Sequence, residues 1–447
     1  MGSYVPNTAS QQEEMLKVIG CNGFDDLFKQ IPDEVVLKSE LNIPEGLSEL
    51  KVAKTISELA GKNKVYNTIY RGVGAYRHYI PSIVKQVTSK EEFMTAYTPY
   101  QAEISQGVLQ SIFEYQTMIC ELTGMDVSNA SVYDGATAAA EAVIMCLEKK
   151  KTKMILAETI NPQIIETIKT LCSGMKVEFI LAKEKGGVID VEYLNSIVSD
   201  ETAGILIQHP NYYGLFEDAS KIGEIAKSCN ARYVIHSNPI ALGIIKTPRE
   251  YGADIAIGEG QPLGLPLSFG GPYLGFMATT DALVRKLPGR IAGETKDSEG
   301  RRAFVLTLQA REQHIRREKA SSNICSNQAL CAMTAAVYLS AMGREGLKKA
   351  ATLSMSKAHY LANRLCELPN FSMTFEGEYF HEFVTNYNGD INRLLKGLEE
   401  HGILPGYPLN GKREGSLVWC TTELNTKEEI DELITLIGKV ESYGTNL

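Results

Sequence analysis

The middle of the chain alternates short apolar runs with amphipathic segments. Each run is almost uniformly apolar, and in the segments between the runs apolar residues recur every three to four positions. Uniformly apolar strands that alternate with helices are typical of a mainly parallel sheet covered on both faces. The pattern therefore predicts a doubly wound α/β domain. The predicted strands are 154–157, 177–182, 204–208, 232–236, 254–258 and 273–279, and the predicted helices are 108–123, 135–149, 160–172, 190–199 and 217–229.

The first eighty residues have a different pattern, in which short amphipathic segments are joined by polar linkers. Ser10 and Glu13 have the spacing of a helix-capping box ahead of the first segment, and further helices are predicted at 24–31 and 47–59. None of these segments carries residues with obvious chemistry. We expect a helical arm over residues 1–80 that packs on a neighbouring subunit or on the large domain.

The pattern changes again beyond residue 300. A charged run at 311–320 precedes a long Ala-rich helix predicted at 327–342, and later helices alternate with short strands. This order favours a small α+β domain after the sheet domain. We place the large α/β domain at 81–330 and the small domain at 331–447.

The composition is that of an ordinary globular protein, with 447 residues, 44% hydrophobic and 22% charged. A net charge of −9 argues against nucleic-acid binding, and no apolar run is long enough to cross a bilayer. The first sixteen residues lack the features of a secretory signal. The nine cysteines include no Cys-x-x-Cys pair, so we expect a cytoplasmic protein with reduced thiols and no metal site.

The most informative segment is 255–278, IAIGEGQPLGLPLSFGGPYLGFMA, which predicts a strand, a Gly/Pro-rich loop and a second strand. Enzymes that carry pyridoxal phosphate (PLP) on a doubly wound sheet place their Schiff-base lysine in a loop of this kind. Gln261 occupies that position here, and no lysine lies between Lys246 and Lys286. The loop therefore predicts a PLP-type fold without its lysine.

Two further segments fit the same fold. Residues 133–142, YDGATAAAEA, predict either a helix start whose amides hold a phosphate or simply a capped helix start. Asn238 stands where PLP enzymes have an aspartate that keeps the pyridine nitrogen protonated, and an amide cannot supply that charge. The nearby His236 is predicted to be a satisfied core histidine rather than a residue that stacks on a cofactor. The chain is therefore not expected to hold a working PLP.

Two polar segments are candidates for binding. In the loop 93–107, FMTAYTPYQAEISQG, Tyr97 and Tyr100 could donate hydrogen bonds to a carboxylate or phosphate, or could pack at a subunit contact. The charged residues Arg316, Arg317 and Lys319 could clamp an anion. A solvated helix and a buried ion network near a domain junction are the alternatives for the charged run.

Taken together, five segments resemble the glycine decarboxylase P-protein of the glycine cleavage system, over a match from about Phe24 to the C-terminus. In that family the protein is either one long chain of two related halves or two separate subunits. This chain resembles the N-terminal half, which is subunit 1 of the two-subunit form. The lysine-bearing half has a His-Lys-Thr sequence, and its lysine aligns with Gln261. The five segments are GAYRHYIP, TAYTPYQAEISQG, ELTGMDVSNAS, LPLSFGGPYLGF and REQHIRREKASSNICSNQ.

The resemblance implies a type I PLP-dependent transferase-like fold and an oxidoreductase-class enzyme that is inactive without a lysine-bearing subunit 2. It implies a heterodimer or α2β2 heterotetramer in which PLP on the partner serves the decarboxylation of glycine. The aminomethyl group then passes to the lipoyl group of the H-protein. No catalytic residue is expected on this chain alone, although Tyr97 and Tyr100 are expected to contact glycine or cofactor across the interface, with Ser105 and Gln106 shaping their loop.

Two other functions stay open at this stage. The first is a non-catalytic scaffold with a degenerate PLP fold, which stabilises the partner subunit and docks the H-protein without touching the chemistry. The second is a self-sufficient PLP enzyme that uses another lysine, such as Lys246.

Overall fold

The computed structural model describes residues 6–96, 98–320 and 322–442. It divides the chain into two units, with the boundary between Lys64 and Val65. The division into domains at residues 80 and 330 that we expected from the sequence stays a prediction.

The first unit consists of short helices. They are α1 (Ala9–Val18), a 3-10 helix (Phe24–Phe28) and α2 (Glu49–Ala60). The capping box of α1 is formed by Thr8 and Gln11, so the predicted pair Ser10 and Glu13 was wrong. Thr8 has the extended backbone that a helix cap requires, whereas Ser10 already lies inside the helix.

The second unit contains short strands and a larger set of helices. Its strands are β1 (Thr68–Ile69), β2 (Val127–Ser128), β3 (Lys153–Ala157), β4 (Glu178–Ala182), β5 (Glu184–Lys185), β6 (Val188–Ile189), β7 (Thr202–His209), β8 (Arg232–Ser237), β9 (Ile255–Glu259), β10 (Gly275–Thr279), β11 (Ala292–Lys296), β12 (Arg302–Leu306), β13 (Phe371–Met373), β14 (Glu382–Tyr387), β15 (Ile403–Leu404), β16 (Tyr407–Pro408) and β17 (Ser416–Cys420). Its α-helices are α3 (Ser82–Thr88), α4 (Glu91–Met94), α5 (Gln106–Thr123), α6 (Gly135–Cys146), α7 (Pro162–Leu171), α8 (Val191–Ile197), α9 (Ala219–Ser228), α10 (Gln313–Arg316), α11 (Ala329–Cys366), α12 (Ile391–Glu400) and α13 (Lys427–Ser442). Its 3-10 helices are Ala241–Gly243, Asp281–Lys286, Gln309–Arg311, Arg317–Lys319 and Gly411–Arg413.

A seven-stranded sheet in the order β2-β10-β9-β8-β7-β3-β4 forms the centre of this unit. Strands β9, β8, β7, β3 and β4 are parallel to one another, and β10 runs antiparallel to β9. Every predicted strand and helix of this region is present, with ends that differ by at most three residues. Apolar residues of β7, β8 and β9 are almost completely buried, which is why these strands read as continuous apolar runs. The predicted α/β fold is confirmed.

The C-terminal part packs helices on a four-stranded antiparallel sheet, in the order β13-β14-β17-β16. Trp419 is fully buried there, and its Nε1 donates a hydrogen bond to Thr385 Oγ1 at 3.0 Å. The helix predicted at 327–342 is the first part of α11, which continues to Cys366 through a non-helical backbone at Gly343. In the part of the chain that the structure describes, no helix is long and apolar enough to cross a membrane.

Candidate functional site

A cavity of about 270 Å³ opens at the carboxyl ends of β7, β8 and β9. Doubly wound folds bind their ligands at this edge of the sheet. The remaining walls come from the start of α6, the segment 72–76 and the start of β14. Its lining includes the carboxyl, imidazole and amide side chains of Asp134, His236, Asn238, Glu259, His381 and Glu382.

Glu259 ends β9 and binds the beginning of helix α6. Its Oε2 accepts a hydrogen bond from Gly135 N–H, and its Oε1 accepts from Gln261 N–H and Leu274 N–H, all at 2.9 Å. A Cβ on Gly135 would lie 2.8 Å from the Glu259 nitrogen, so a glycine is needed for this close approach. Burial raises the pKa of Glu259 to about 7, although the three amides oppose that shift. A carboxylate of the protein itself thus occupies the helix start.

Gln261 lies two residues beyond β9, and its side chain is 1% exposed. Oε1 accepts a hydrogen bond from Tyr76 N–H at 2.9 Å, and Nε2 donates to Tyr76 O at 3.0 Å and to Leu265 O at 2.7 Å. The side-chain amide therefore binds both the N–H and the carbonyl oxygen of Tyr76. It is turned into the protein and is absent from the cavity wall that the described residues form.

Glu382 begins β14 and fixes the segment 72–76 on the other side of the cavity. Its Oε1 accepts from Val73 N–H at 2.6 Å, and its Oε2 accepts from the Tyr76 hydroxyl at 2.7 Å. A Cβ on Gly72 would lie 2.4 Å from Oε1, so a larger residue there would displace the carboxylate. Burial raises the pKa of Glu382 to about 7, and the hydrogen bonds from Val73 and Tyr76 act in the opposite direction.

The two histidines on the cavity wall are both kept neutral by burial. Desolvation lowers the pKa of His236 to about 4 and lowers that of His381 well below its usual range. Neither ring nitrogen of His236 has a hydrogen-bond partner in another described residue, so the prediction of a satisfied core histidine was wrong. His236 is buried because it lies in the central strand β8, one residue before its end. Asn238 Nδ2 lies 3.1 Å from His381 Nε2, and Asn238 Oδ1 accepts from Ile240 N–H at 2.9 Å.

These residues do not fit PLP. The cofactor needs donors for its phosphate, a lysine for its aldehyde and an acid for its ring nitrogen. Here carboxylates bind the Gly135 and Thr137 amides of α6, since Asp134 Oδ1 accepts from Thr137 N–H at 2.7 Å. The described residues that line the cavity include no lysine or arginine, and Gln261 is enclosed. Lys246 is exposed and lies outside the wall, with its Nζ 5.9 Å from the centre of the Tyr251 ring.

Residues 98–106 of the tyrosine-containing loop, which the sequence indicated as a candidate for binding, are held by hydrogen bonds within the chain. The Tyr100 hydroxyl donates a short hydrogen bond to Asn327 Oδ1, and burial raises the pKa of that hydroxyl. Ser105 Oγ donates to Thr98 O at 2.6 Å. Gln106 pairs with Phe304 in both directions, with its Oε1 accepting at 2.8 Å and its Nε2 donating at 2.9 Å. Ser105 and Gln106 therefore shape the loop locally. Tyr97 lies outside the described residues.

The charged run divides into a buried and an exposed part. Arg290 forms a short ion pair with Glu312, which is 8% exposed, and the guanidinium of Arg290 lies 5.9 Å from the centre of the Tyr100 ring. Arg311 Nη2 donates to Gly289 O at 2.7 Å. By contrast, the residues that we proposed as an anion clamp are all exposed: Arg316, Arg317 and Lys319. The charged run thus takes part in a buried ion pair through Glu312, whereas the three residues that could clamp an anion do not.

Sequence reasoning missed Glu259, Glu382 and the pair Arg290–Glu312. Glu259 had a visible signal, because an acid at the carboxyl end of an apolar strand lies where such folds bind ligands. Glu382 and Arg290 carried no comparable signal. Their partners are distant in the sequence, at Tyr76 and Glu312, so only the folded chain brings them together.

Comparison with known proteins gives consistent matches over nearly the whole chain. Residues 2–437 match the family model described as glycine cleavage system P-protein. A protein named probable glycine dehydrogenase (decarboxylating) subunit 1 from Desulfitobacterium hafniense is 47% identical over 445 residues, covering 98% of this chain and 100% of the relative. The protein of the same name from Moorella thermoacetica is 47% identical over 436 residues, with 97% and 98% covered.

Solved structures give the same result. A crystal structure of glycine decarboxylase (P-protein) of the glycine cleavage system, in inhibitor-bound form, has a TM-score of 0.92 and 39% identity, covering 98% of this chain and 100% of the other. A glutamate decarboxylase from Lactobacillus brevis has a TM-score of 0.68 at 12% identity, covering 92% of this chain and 96% of the other. At that identity the likeness concerns the fold alone.

Proposed function

The chain belongs to the glycine cleavage system P-protein family, and we propose that it is subunit 1 of a two-chain glycine dehydrogenase (decarboxylating) whose PLP is carried by the other chain. The observation that carries this proposal is that the cavity at the end of β9 does not fit PLP. Glu259 binds the helix start and Gln261 is enclosed, so this chain offers PLP neither a free phosphate site nor a lysine. Because the family acts through PLP chemistry, the lysine must belong to a partner subunit.

The loop of residues 97–106 is the part of this chain that we propose reaches the partner's cofactor. Its tyrosine-rich sequence suits contact with a carboxylate or phosphate, and its base is fixed by Ser105 and Gln106. Since the Tyr100 hydroxyl already donates to Asn327, its oxygen can accept a hydrogen bond from an N–H of the partner's site, and the edge of the ring can face an anionic group. Tyr97 is the second contact in this proposal. The loop would hold glycine so that the bond to be broken is aligned and shielded from water.

The assembly and the acceptor are parts of the same proposal. We expect a heterodimer or an α2β2 heterotetramer with the lysine-bearing subunit, and we expect the lipoyl group of the H-protein to accept the aminomethyl group. A cytoplasmic location agrees with the cysteines, all nine of which are free thiols.

Exchange between glycine and labelled bicarbonate tests the division of labour. Each chain is to be purified alone and then combined, with PLP and H-protein present in every assay. We expect exchange only with both chains, because neither chain alone has a complete site. Full exchange by the lysine-bearing chain alone would leave this chain with a scaffold role, and exchange by this chain alone would contradict the proposal.

The loop is tested in the assembled complex with Tyr100→Phe, alone and combined with Tyr97→Phe. The control is Tyr360→Phe, which also removes a hydroxyl bond to a side chain, from Tyr360 to Asp431 Oδ1 at 2.7 Å, but in another part of the unit. We expect turnover to fall roughly ten-fold in the loop variants, which is about 1.4 kcal/mol of barrier, with unchanged assembly. Equal turnover in wild type, loop variants and control would favour the scaffold function.

A further inference from the structure

The cavity at the end of β9 holds buried negative charge that no cation balances. Asp134, Glu259 and Glu382 all line it, whereas the described residues of its wall include no lysine or arginine. Glu382 is 4% exposed, and Glu259 is partly buried. Buried carboxylates in proteins are normally paired with a cation, because an unpaired charge in a weakly polar surrounding is unfavourable.

Two of these acids have raised pKa values. Burial raises the pKa of Glu259 to about 7 and that of Glu382 to about 7, and no positive side chain contributes to either shift. Burial therefore favours the protonated forms of Glu259 and Glu382. A cation placed between them would favour the charged forms and release protons.

His236 supplies an independent sign of a ligand. It lines the cavity, it is 7% exposed, and both ring nitrogens lack a partner in another described residue. Buried polar atoms of this kind ordinarily have a hydrogen-bond partner. A neutral imidazole ring offers one donor and one acceptor nitrogen, and the acceptor suits the N–H of a bound group.

The chemistry of the wall also limits what the ligand can be. An anion is disfavoured, because Glu259 and Asp134 bind the Gly135 and Thr137 amides at the start of α6. Within the described residues, no group of three or more histidine, cysteine or carboxylate side chains is arranged to hold a metal ion. A volume of about 270 Å³ accommodates a molecule of a few heavy atoms.

We propose that this cavity is a second ligand site, separate from the partner's cofactor, which binds a small protonated amine between Glu259, Glu382 and His236. The ammonium group donates to the two carboxylates and to the acceptor nitrogen of His236. All three side chains belong to this chain, so the proposal can be tested independently of the division of labour between the subunits.

Methylammonium is the probe that tests the site on the purified full-length chain. At pH 7 we expect millimolar methylammonium chloride to raise the thermal midpoint above that in sodium chloride of equal ionic strength. Calorimetric titration in two buffers of different ionisation enthalpy should show that binding releases protons, because the ammonium group favours the charged forms of the two acids. Sodium acetate, sodium phosphate and zinc chloride complete the series and should produce no such signal.

Two variants connect the signal to the cavity. Glu382→Gln and Glu259→Gln should each weaken methylammonium binding at least ten-fold, while Glu192→Gln, an exposed acid on α8, should leave binding unchanged. The proton count of the wild-type chain keeps the test decisive if a variant fails to fold. Absence of any methylammonium signal, equal binding in all variants, or binding of acetate, phosphate or zinc in place of the amine would overturn the proposal.

Discussion

Replacing Gln261 by leucine tests whether its amide, rather than the bulk of its side chain, holds the segment 72–76. The substitution keeps a side chain of similar size and removes the bonds to Tyr76 N–H, Tyr76 O and Leu265 O. A buried polar group that loses its partner costs about 1–3 kcal/mol. The neighbouring anchor at Glu382 stays in place, so we expect a local opening rather than global unfolding.

Hydrogen–deuterium exchange measures this local opening through the exchange rate of the Tyr76 amide. A loss of about 1.4–2.8 kcal/mol corresponds to roughly 10- to 100-fold faster exchange in peptides that cover residues 72–79. Gln110→Leu is the matched control, because the Gln110 amide bonds only Glu114 Oε1 on an exposed helix face, at 2.9 Å. Unchanged protection at Tyr76 in Gln261→Leu, or an equal loss in the control, would refute the role assigned to the amide.

Three further predictions follow from the cavity and the ion pair. Gln261→Lys should give no absorbance band at wavelengths longer than the protein's ultraviolet bands when PLP is added, because Glu259 still binds the start of α6. A stable band would contradict the conclusion that this cavity does not fit PLP. The native state holds the Glu382 proton more tightly than the unfolded chain, because the pKa of Glu382 is raised from 4.5 to about 7. The contribution of this group to the free energy of unfolding therefore falls as pH rises through that range and is lost above it. The free energy of unfolding of Glu382→Gln, measured by thermal unfolding at pH 5 to 8, should therefore increase relative to that of wild type as pH rises, by up to ~3 kcal/mol. The same difference between the two proteins at every pH would rule this out. Glu312→Gln should destabilise the protein by ~3 kcal/mol because it leaves Arg290 without its buried partner; Glu318→Gln, an exposed acid nearby, should match wild type in thermal unfolding, and equal midpoints for both variants would count against the ion pair.

The sequence was sufficient for the fold because local and long-range preferences agree in the sheet. Strands such as β8 and β9 are apolar on both faces, and polar turns mark their ends. The full length of helix α11 could not be predicted from the sequence, because the backbone at Gly343 is non-helical and the helix resumes beyond it. The helix cap was predicted at Ser10 instead of Thr8 because two capping patterns overlap within six residues.

The candidate site could be located but not described from the sequence. Gln261 and Asn238 were found because they depart from a known pattern at strand ends. What replaces the cofactor could not be found in that way. Glu259 accepts hydrogen bonds from the amides of Gly135 in α6 and of Leu274, the residue before β10. Glu382 binds Tyr76, about 300 positions away in the sequence. The roles of both acids therefore depend on tertiary contacts. The neutral, unpartnered ring of His236 is likewise a property of packing.

The distribution of PLP between the two chains shows which of them carries the cofactor. Each chain and the reconstituted complex are to be incubated with PLP, freed of unbound cofactor by gel filtration, and analysed for PLP after alkaline release. We expect about one PLP for each pair of chains and none retained by this chain alone, because Glu259 occupies the start of α6 and Gln261 stands in place of the lysine. Stoichiometric PLP on the isolated chain, or two for each pair, would contradict it.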